Sequence, residues 1–432
     1  CDERSEPCAE PCDWCDCDKD ETEQRHDGPL GENTLCDDCA NRYAASRENL
    51  DIKAASLRQR TGSLAANANR ADDEKHLSLR DRIDAIDEKL LTLFNDRAQC
   101  ALEVGVVKQS STSDSLPVFF RPEREAQILT RLMNANPGPL ADRDVARLFR
   151  EVISCCLNLE MPLTIAYFGP EGTYTEAAAI KQFGHFAGTR PLASISDVFR
   201  DVESGAAHYG VVPVENSTEG MVNHTLDCFL ASKVSICAEV EMPIHHAMMR
   251  LASATGDPQA IISHAQSLAQ CRGWLDRNYP GIPRTVASSN AEAARQASEN
   301  PKLAAIAGEM AAERYKLRLL STSIEDQPDN KTRFIVLGNQ TVAASGRDKT
   351  SLLVSVRNEP GALLRVLAPF DEHGISLSRI ETRPAPTGDW SYVFFIDFDG
   401  HASEDNAKVV LDAIAKVAVE VRVHGSYPKA DV

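Results

Sequence analysis

At Pro162 the periodicity of this sequence changes, and that break constrains the fold more than any other feature. From His76 to Met161 the pattern is helical, with few glycines and no alternating strand. Beyond Pro162, short β-rich runs (Leu163–Tyr167, Tyr209–Val214, Val234–Glu239, Phe334–Leu337) alternate with amphipathic helical stretches, as in an α/β domain. A polar linker, Asn339–Lys349, leads to a final segment that reads strand, helix, strand, strand, helix, strand, the order of a ferredoxin-like sandwich. The expected organisation is thus multidomain: residues 1–75 an acidic, cysteine-rich extension, 76–161 all-α, 163–340 α/β and 350–430 a small α+β domain.

A length of 432 residues suits several domains, each with its own core. The net charge of −18 argues against a nucleic-acid or anionic-membrane binder, so an anionic substrate must be drawn by local cations. No run approaches the roughly 18 apolar residues that span a bilayer. The N-terminus shows neither a basic nor an apolar region of a secretory signal, and a cytoplasmic location is expected. The 13 cysteines do not read as a disulfide framework. Cys12-x2-Cys15 and Cys36-x2-Cys39 have the spacing of a four-thiolate zinc site, with Cys8, Cys17 and His26 as alternative ligands. A disordered leader is the competing reading of that segment.

In the helical segment, charges fall where a core belongs. The first helix carries Leu79, Ile83, Ile86, Leu90, Leu93 and Phe94 on one face, and the same spacing then reaches Arg97, Ala101, Val104 and Lys108. A second helix opens at Pro122, a good first-turn residue, and puts Arg124 and Glu125 beside Ile128, Leu129 and Leu132. A third carries Val145, Leu148, Phe149, Val152 and Ile153 inward and continues through Cys156 to Glu160. An unpaired buried charge costs several kcal/mol, roughly, even after relaxation. One such residue can snorkel or pair, as Arg124 could with Glu160. Five together point to a polar, arginine-rich pocket fit for a carboxylate-bearing ligand.

Residues 79–91 (Leu-Arg-Asp-Arg-Ile-Asp-Ala-Ile-Asp-Glu-Lys-Leu-Leu), 103–108 (Glu-Val-Gly-Val-Val-Lys) and 122–125 (Pro-Glu-Arg-Glu) resemble the all-helical chorismate mutase family. The resemblance implies that Arg80 reaches a substrate carboxylate from a partner subunit, while Arg97 and Arg124 hold carboxylates within the subunit. It also implies Lys108 on the ether oxygen and Glu125 on the ring hydroxyl, with Cys156 and Glu160 at the same site. Chorismate-to-prephenate rearrangement is unimolecular and needs no cofactor, only a held conformer and stabilised charge on the ether oxygen. Several relatives have glutamine where Glu160 stands; a carboxylate would repel the developing oxyanion, so Glu160 is expected to work protonated. Arg121 and Cys156 also depart from residues seen in some relatives.

In the α/β segment, Gly169-Pro170-Glu171-Gly172-Thr173-Tyr174-Thr175 follows a strand and opens a helix. Its glycines allow close backbone approach and its threonines allow capping. Strand Gly210–Val214 leads into Glu215-Asn216-Ser217-Thr218-Glu219-Gly220. Ser263-His264-Ala265-Gln266, with Gln270 a turn on, and Asp329-Asn330-Lys331-Thr332-Arg333-Phe334 complete the polar loops. Loops at strand ends are where open α/β sheets bind ligands. Together they resemble the prephenate dehydratase family. That implies two lobes like a periplasmic binding protein, a cleft holding Thr173, Asn216, Ser217, Ser263 and Gln270, an essential Thr332, and Arg333 for a carboxylate. Loss of the ring hydroxyl with carbon dioxide needs a donor to the departing oxygen, the role expected of Thr332. His245 and His246 are adjacent, lack an acidic ligand set and are expected to be structural.

In the last segment, Gly361-Ala362-Leu363-Leu364 and Glu381-Thr382-Arg383-Pro384 resemble the ACT ligand-binding domain of aromatic amino-acid enzymes. That implies a phenylalanine site between paired domains, with Gly361 presenting helix-terminal N–H groups to its carboxylate. The whole resembles bifunctional chorismate mutase/prephenate dehydratases. The expected activity is chorismate to prephenate to phenylpyruvate, with phenylalanine feedback, no catalytic cofactor, and a homodimer or higher. An arogenate-preferring second step and a non-catalytic amino-acid sensor are the alternatives.

Overall fold

A computed structural model describes residues 78–108, 110, 118–384 and 392–430. Two compact units divide between Leu93 and Phe94. Helix α1 spans 78–108. Its stripe was expected to face a core, but Leu79, Ile83, Ile86, Leu90, Leu93 and Phe94 are 42% to 61% exposed. Helix α1 is ~46 Å long, and the other two helices of this segment have 13 and 19 residues. These are α2 (Pro122–Asn134), with proline in its first turn, and α3 (Asp142–Glu160). Leu148 and Phe149, also expected inward on α3, are exposed.

Two sheets follow. The first lobe is built from β1 (Thr164–Phe168), α4 (Tyr174–Phe183), β2 (Gly188–Leu192), α5 (Ile195–Glu203), β3 (Tyr209–Asn216), β4 (Gly220–Met221), α6 (Asn223–Ala231) and β5 (Ser235–Pro243). The chain then builds the second lobe from β6 (Ala247–Leu251), β7 (Ala260–His264), α7 (Ala265–Gln270), α8 (Arg272–Asn278), β8 (Arg284–Ala287), α9 (Asn290–Glu299), β9 (Leu303–Ala307), α10 (Glu309–Tyr315) and β10 (Leu317–Ser321). It returns to the first lobe as β11 (Lys331–Gly338). The strand orders are β2-β1-β3-β11-β5, with β4 on β3, and β10-β6-β9-β7-β8. Strand β11 lies between β3 and β5 and antiparallel to both, with Thr332 opposite Asn216 and Met242. A continuous apolar run explains its place: Phe334, Ile335, Val336 and Leu337 are all buried, as a central strand covered on both faces requires.

The C-terminal domain contains β12 (Asp348–Val356), α11 (Ala362–Glu372), β13 (Leu377–Pro384), β14 (Tyr392–Asp399), α12 (Asp405–Val417) and β15 (Glu420–Pro428), with the antiparallel order β13-β14-β12-β15. Strand alternation gives this sheet two apolar faces. Leu352, Val354, Ile396 and Phe398 pack under α11 and α12. Leu353, Phe395 and Tyr427 face the other way, into the first-lobe core with Phe199, Leu226 and Phe229. Strand β15 lies so close to β5 that a Cβ on Gly425 would stand 2.1 Å from the Ile236 carbonyl oxygen. Among the described residues no helix is long and apolar enough to cross a membrane.

His424 is buried in this junction, 4.6 Å from the Phe229 ring and 6.1 Å from that of Phe395 by centroids. Burial, with Arg422 nearby, pushes its pKa down from 6.5 to about 3. The unfolded chain therefore takes up this proton first. The stability that neutral His424 contributes is complete above pH 6.5 and is lost as pH falls toward 3. The slope attributable to this one group is at most about 1.4 kcal/mol per pH unit. Urea unfolding of His424→Leu between pH 4 and 7 should show a shallower pH dependence than the wild type, by up to that slope.

Candidate functional sites in a helical cavity, a two-lobed cleft and a ferredoxin-like domain

Arg97, Lys108, Arg124, Glu125, Cys156 and Glu160 line one cavity of about 760 Å³. Helix α1 delivers Arg97 and Lys108, α2 delivers Arg124 and Glu125, and α3 delivers Cys156 and Glu160. Gly105 lets α1 approach α3, since a Cβ there would lie 3.3 Å from the Glu160 Cα. The Lys108 ammonium lies 2.8 Å from the Glu160 carboxylate, donates to the Phe119 carbonyl at 3.4 Å and stands 5.3 Å from the Phe119 ring centre. Glu160 thus meets Lys108 in an ion pair, neither paired to Arg124 nor standing as an isolated acid. Arg97 donates to the Val152 carbonyl at 3.3 Å. Glu125 is buried and accepts from Arg150 at 3.1 Å. Burial pushes the Glu125 carboxyl up and Arg150 opposes the shift. Arg150 was not singled out from the sequence, because its partner lies on another helix. Arg80 lies on the exposed part of α1.

In the two-lobed domain, Thr173 caps α4, accepting from the Glu176 amide at 3.3 Å. Gly172 has φ +82° and faces Ala311 of α10, where a Cβ would be only 3.0 Å from the Ala311 Cα. Both facts demand glycine. Glu176 is fully buried; it accepts from the Gly172 amide at 2.6 Å and pairs with Arg314 of α10, so the loop is fastened to the second lobe.

Asn216 is the hub of the cleft. Its Nδ2 donates to Thr332 Oγ1 at 2.8 Å, Asn330 Oδ1 at 2.9 Å and the Lys331 carbonyl at 3.2 Å. Its Oδ1 accepts from the amides of Thr218 and Glu219 and from the Thr218 hydroxyl, at 3.0, 3.1 and 2.6 Å. The Ser217 hydroxyl accepts from the Lys331 amide at 2.9 Å. Gln270, from the second lobe, donates to Thr218 Oγ1 at 3.2 Å. These residues come together.

Two expected members do not join them. Ser263 is fully buried, its hydroxyl placed between the Ile306 carbonyl at 2.6 Å and Asn290 at 2.9 Å, so it supports the β7–α7 turn. Arg333, next to Thr332 in sequence, is sent to the other face by the period of the strand. It meets Asp397 at 2.7 Å, Glu239 at 3.1 Å and Glu215 at 3.5 Å. Sequence reading missed Tyr174, Thr218 and Asn330, and set His246 aside. His245 pairs with Glu325 at 2.7 Å, whereas His246 is buried between Tyr174 and Gln270, 2.8 Å from each. The signal available was position: all lie within or beside the polar loops.

In the C-terminal domain Gly361 (φ +76°) precedes α11, and Gly361, Ala362, Leu363 and Leu364 line a cavity of about 230 Å³ with Tyr392 and Phe394. Residues Glu381–Pro384 lie on β13 and pair with β14 at Thr382–Phe394 and Pro384–Tyr392. They do not line that cavity; Arg383 instead holds Asp227 of α6 at 2.5 and 3.0 Å. The proposed zinc ligands Cys12, Cys15, Cys36 and Cys39 lie outside the described residues. Among those described, no group of three or more His, Cys, Asp or Glu residues could hold a metal ion.

A cationic helical cavity, an amide- and hydroxyl-rich cleft between two α/β lobes and a ferredoxin-like domain define a multidomain enzyme acting on small anions under ligand control. Residues 79–161 match the family "Chorismate mutase type II", 165–342 match "Prephenate dehydratase", and 350–416 match "ACT domain". The bifunctional chorismate mutase/prephenate dehydratase of Pseudomonas aeruginosa is 54% identical over 83% of this chain and 99% of its own length. Among solved structures, prephenate dehydratase of Arthrobacter aurescens in complex with L-Phe is 34% identical with a TM-score of 0.58, over 62% of this chain and 91% of its own. That of Staphylococcus aureus is 27% identical with a TM-score of 0.54, over 61% and 100%. This chain belongs to the bifunctional chorismate mutase/prephenate dehydratase family.

Replacing Glu176 by alanine strands the Gly172 amide and the Arg314 guanidinium. Urea unfolding should register a loss of about 2 kcal/mol, and Glu176→Gln, which keeps the acceptor for Gly172, should lose less.

Proposed function

We propose that this chain rearranges chorismate to prephenate in the helical cavity, converts prephenate to phenylpyruvate in the two-lobed cleft, and is inhibited by phenylalanine bound at the C-terminal domain. The observation that carries the reading is the convergence of Arg97, Lys108, Arg124 and Glu160 on one cavity. A dianion neutralises that set, and no nucleophile or metal is needed for a unimolecular rearrangement. Arg97 and Arg124 hold the carboxylates as guanidinium forks. Lys108 turns from Glu160 to the ether oxygen as negative charge develops there. Glu125 holds the ring hydroxyl.

In the cleft, Thr332 donates to the departing hydroxyl while carbon dioxide leaves and the ring becomes aromatic; restored aromaticity supplies most of the driving force. Asn216, Ser217 and Gln270 orient the substrate. At the C-terminal domain, the phenylalanine carboxylate meets the amides at Gly361, with the side chain beside Leu363 and Leu364 and a paired domain supplying Glu381 to Pro384. A cytoplasmic location accords with this reading.

The exposed stripe of α1 supports assembly. Each large apolar side chain gains about 1.5–3 kcal/mol on full burial, and six of them share one face. A second copy covers that face and brings its own Arg80 to the cavity.

The test supplies chorismate and follows phenylpyruvate, with and without phenylalanine. Wild-type enzyme should form it and phenylalanine should suppress it; Thr332→Ala should stop at prephenate, with dehydration slowed by about a hundredfold or more. Turnover of prephenate by Thr332→Ala near the wild-type rate would remove that residue from the chemistry. Leu90→Glu should weaken association in sedimentation and lower mutase turnover with it; a monomer with full mutase activity would refute the shared site.

A further inference from the structure

The cleft residues form one chain of hydrogen bonds whose direction is fixed by main-chain groups. Asn216 Oδ1 accepts from two backbone amides and Asn216 Nδ2 donates to a backbone carbonyl, so this side chain has only one possible orientation. Thr218 Oγ1 stands 2.6 Å from that Oδ1 and must spend its hydrogen there. Whatever Gln270 presents to Thr218 Oγ1 must therefore donate, which fixes its Nε2 on Thr218 at 3.2 Å and its Oε1 on His246 at 2.8 Å. His246 Nε2 is then required to carry a hydrogen, whether the ring is neutral or charged. Burial holds the His246 pKa below its ordinary value, and its Nδ1 lies 2.8 Å from the Tyr174 hydroxyl, whose one hydrogen is shared between that nitrogen and the His245 carbonyl, also at 2.8 Å. At the far end, Asn216 Nδ2 donates to Thr332 Oγ1 at 2.8 Å. The hydrogen of Thr332 is left over, and among the described residues no acceptor takes it.

We propose that His246, backed by Tyr174, is a positioning residue for the dehydration: its Nε2–H holds Gln270 with the amide nitrogen on Thr218, tying the second lobe to the loop whose Asn216 donates to Thr332. Neither transfers a proton. From His246 the chain runs through Gln270, Thr218 and Asn216 to Thr332, every link donating in the same sense. Reversing the His246 link would turn the Gln270 carbonyl toward Thr218 Oγ1, whose hydrogen is already spent, and break the tie to the Asn216 loop. The chain also crosses between lobes twice: Tyr174 begins α4 of the first lobe and His246 precedes β6 of the second, while Gln270 returns to Thr218 of the first. Gly308 marks the close fit, since a Cβ there would lie 2.7 Å from the Tyr174 ring. The chain thus ties the second lobe to the loop that holds the Asn216–Thr332 pair.

This assignment rests on the cleft being the dehydratase site, and the test separates the two. In full-length enzyme, ¹⁵N-histidine NMR without substrate should show His246 with a hydrogen on Nε2; a ring protonated on Nδ1 alone overturns the proposed direction whatever the reaction. With prephenate, His246→Leu should lower kcat by about tenfold with KM little changed and mutase turnover intact. His246→Gln, whose amide can place a donor where Nε2 stood, should recover most of the loss, and Tyr174→Phe should show a smaller fall in kcat. A His246→Leu enzyme with wild-type kcat, or a loss confined to KM, overturns the proposal, as does His246→Gln no better than His246→Leu. If His246→Leu does not fold, the comparison of His246→Gln with wild type and the NMR result decide it. A wild-type enzyme that binds but does not turn over prephenate defeats the dehydratase reading itself, with the tautomer result still standing.

Discussion

A carboxylate with no solvent exposure, Asp397, organises the junction on which the rest of the molecule is built. Alone in that position it would be costly. Burial pushes its pKa up, but Arg333 and Arg379 outweigh burial and hold it below the ordinary carboxylate range, with Ser351 donating at 2.6 Å. Arg379 approaches at 3.0 Å and Arg333 at 2.7 Å. Lys349 and Arg333 share Glu239 nearby and Arg333 also reaches Glu215, so three strands of the C-terminal sheet and three of the first lobe contribute charges to one cluster. Removing any member leaves another buried charge short of one of its partners. The two domains are therefore joined by mutual electrostatic need as well as by the apolar face beneath Leu353, Phe395 and Tyr427.

Strand β11 converts that junction into a functional relation. Its alternation puts Arg333 into the ion cluster and Thr332 into the cleft, one residue apart on opposite faces. Asp397 thus holds the residue next to Thr332 on the same strand. The second link, Arg383 to Asp227, reaches α6, which directly follows the loop and short strand after Asn216. An effector domain thus touches the dehydratase lobe on both sides of the polar hub, with no added hinge segment.

Much of this was legible beforehand, and the failures have a common cause. Period and turn chemistry placed the helices, the strand runs and the Thr173 cap. The glycine at position 172 was read as room for a ligand, whereas the structure sets Ala311, far along the chain, against it. The stripe from Leu79 to Phe94 was read as core because helical spacing reports that a face will be covered, not by what. Thr332 and Arg333 were both assigned to the cleft because adjacent motif residues invite one role, although alternation in a strand sends them apart. Ser263 has a polar side chain in a polar loop, yet its hydroxyl is consumed by Asn290 and Ile306. His245 and His246 were treated alike; burial and one residue of offset give them different partners.

By itself the sequence determined which elements form and what chemistry they carry, because periodicity, caps and side-chain type are local properties. Only the tertiary structure decided which of those groups meet. Asn216 and Thr332 are 116 residues apart, and Arg333 and Asp397 are 64 apart. Hydrogen-bond direction and the balance of buried charge depend on distances of a few ångströms between such residues, and chain spacing does not specify those distances until the sheets have packed.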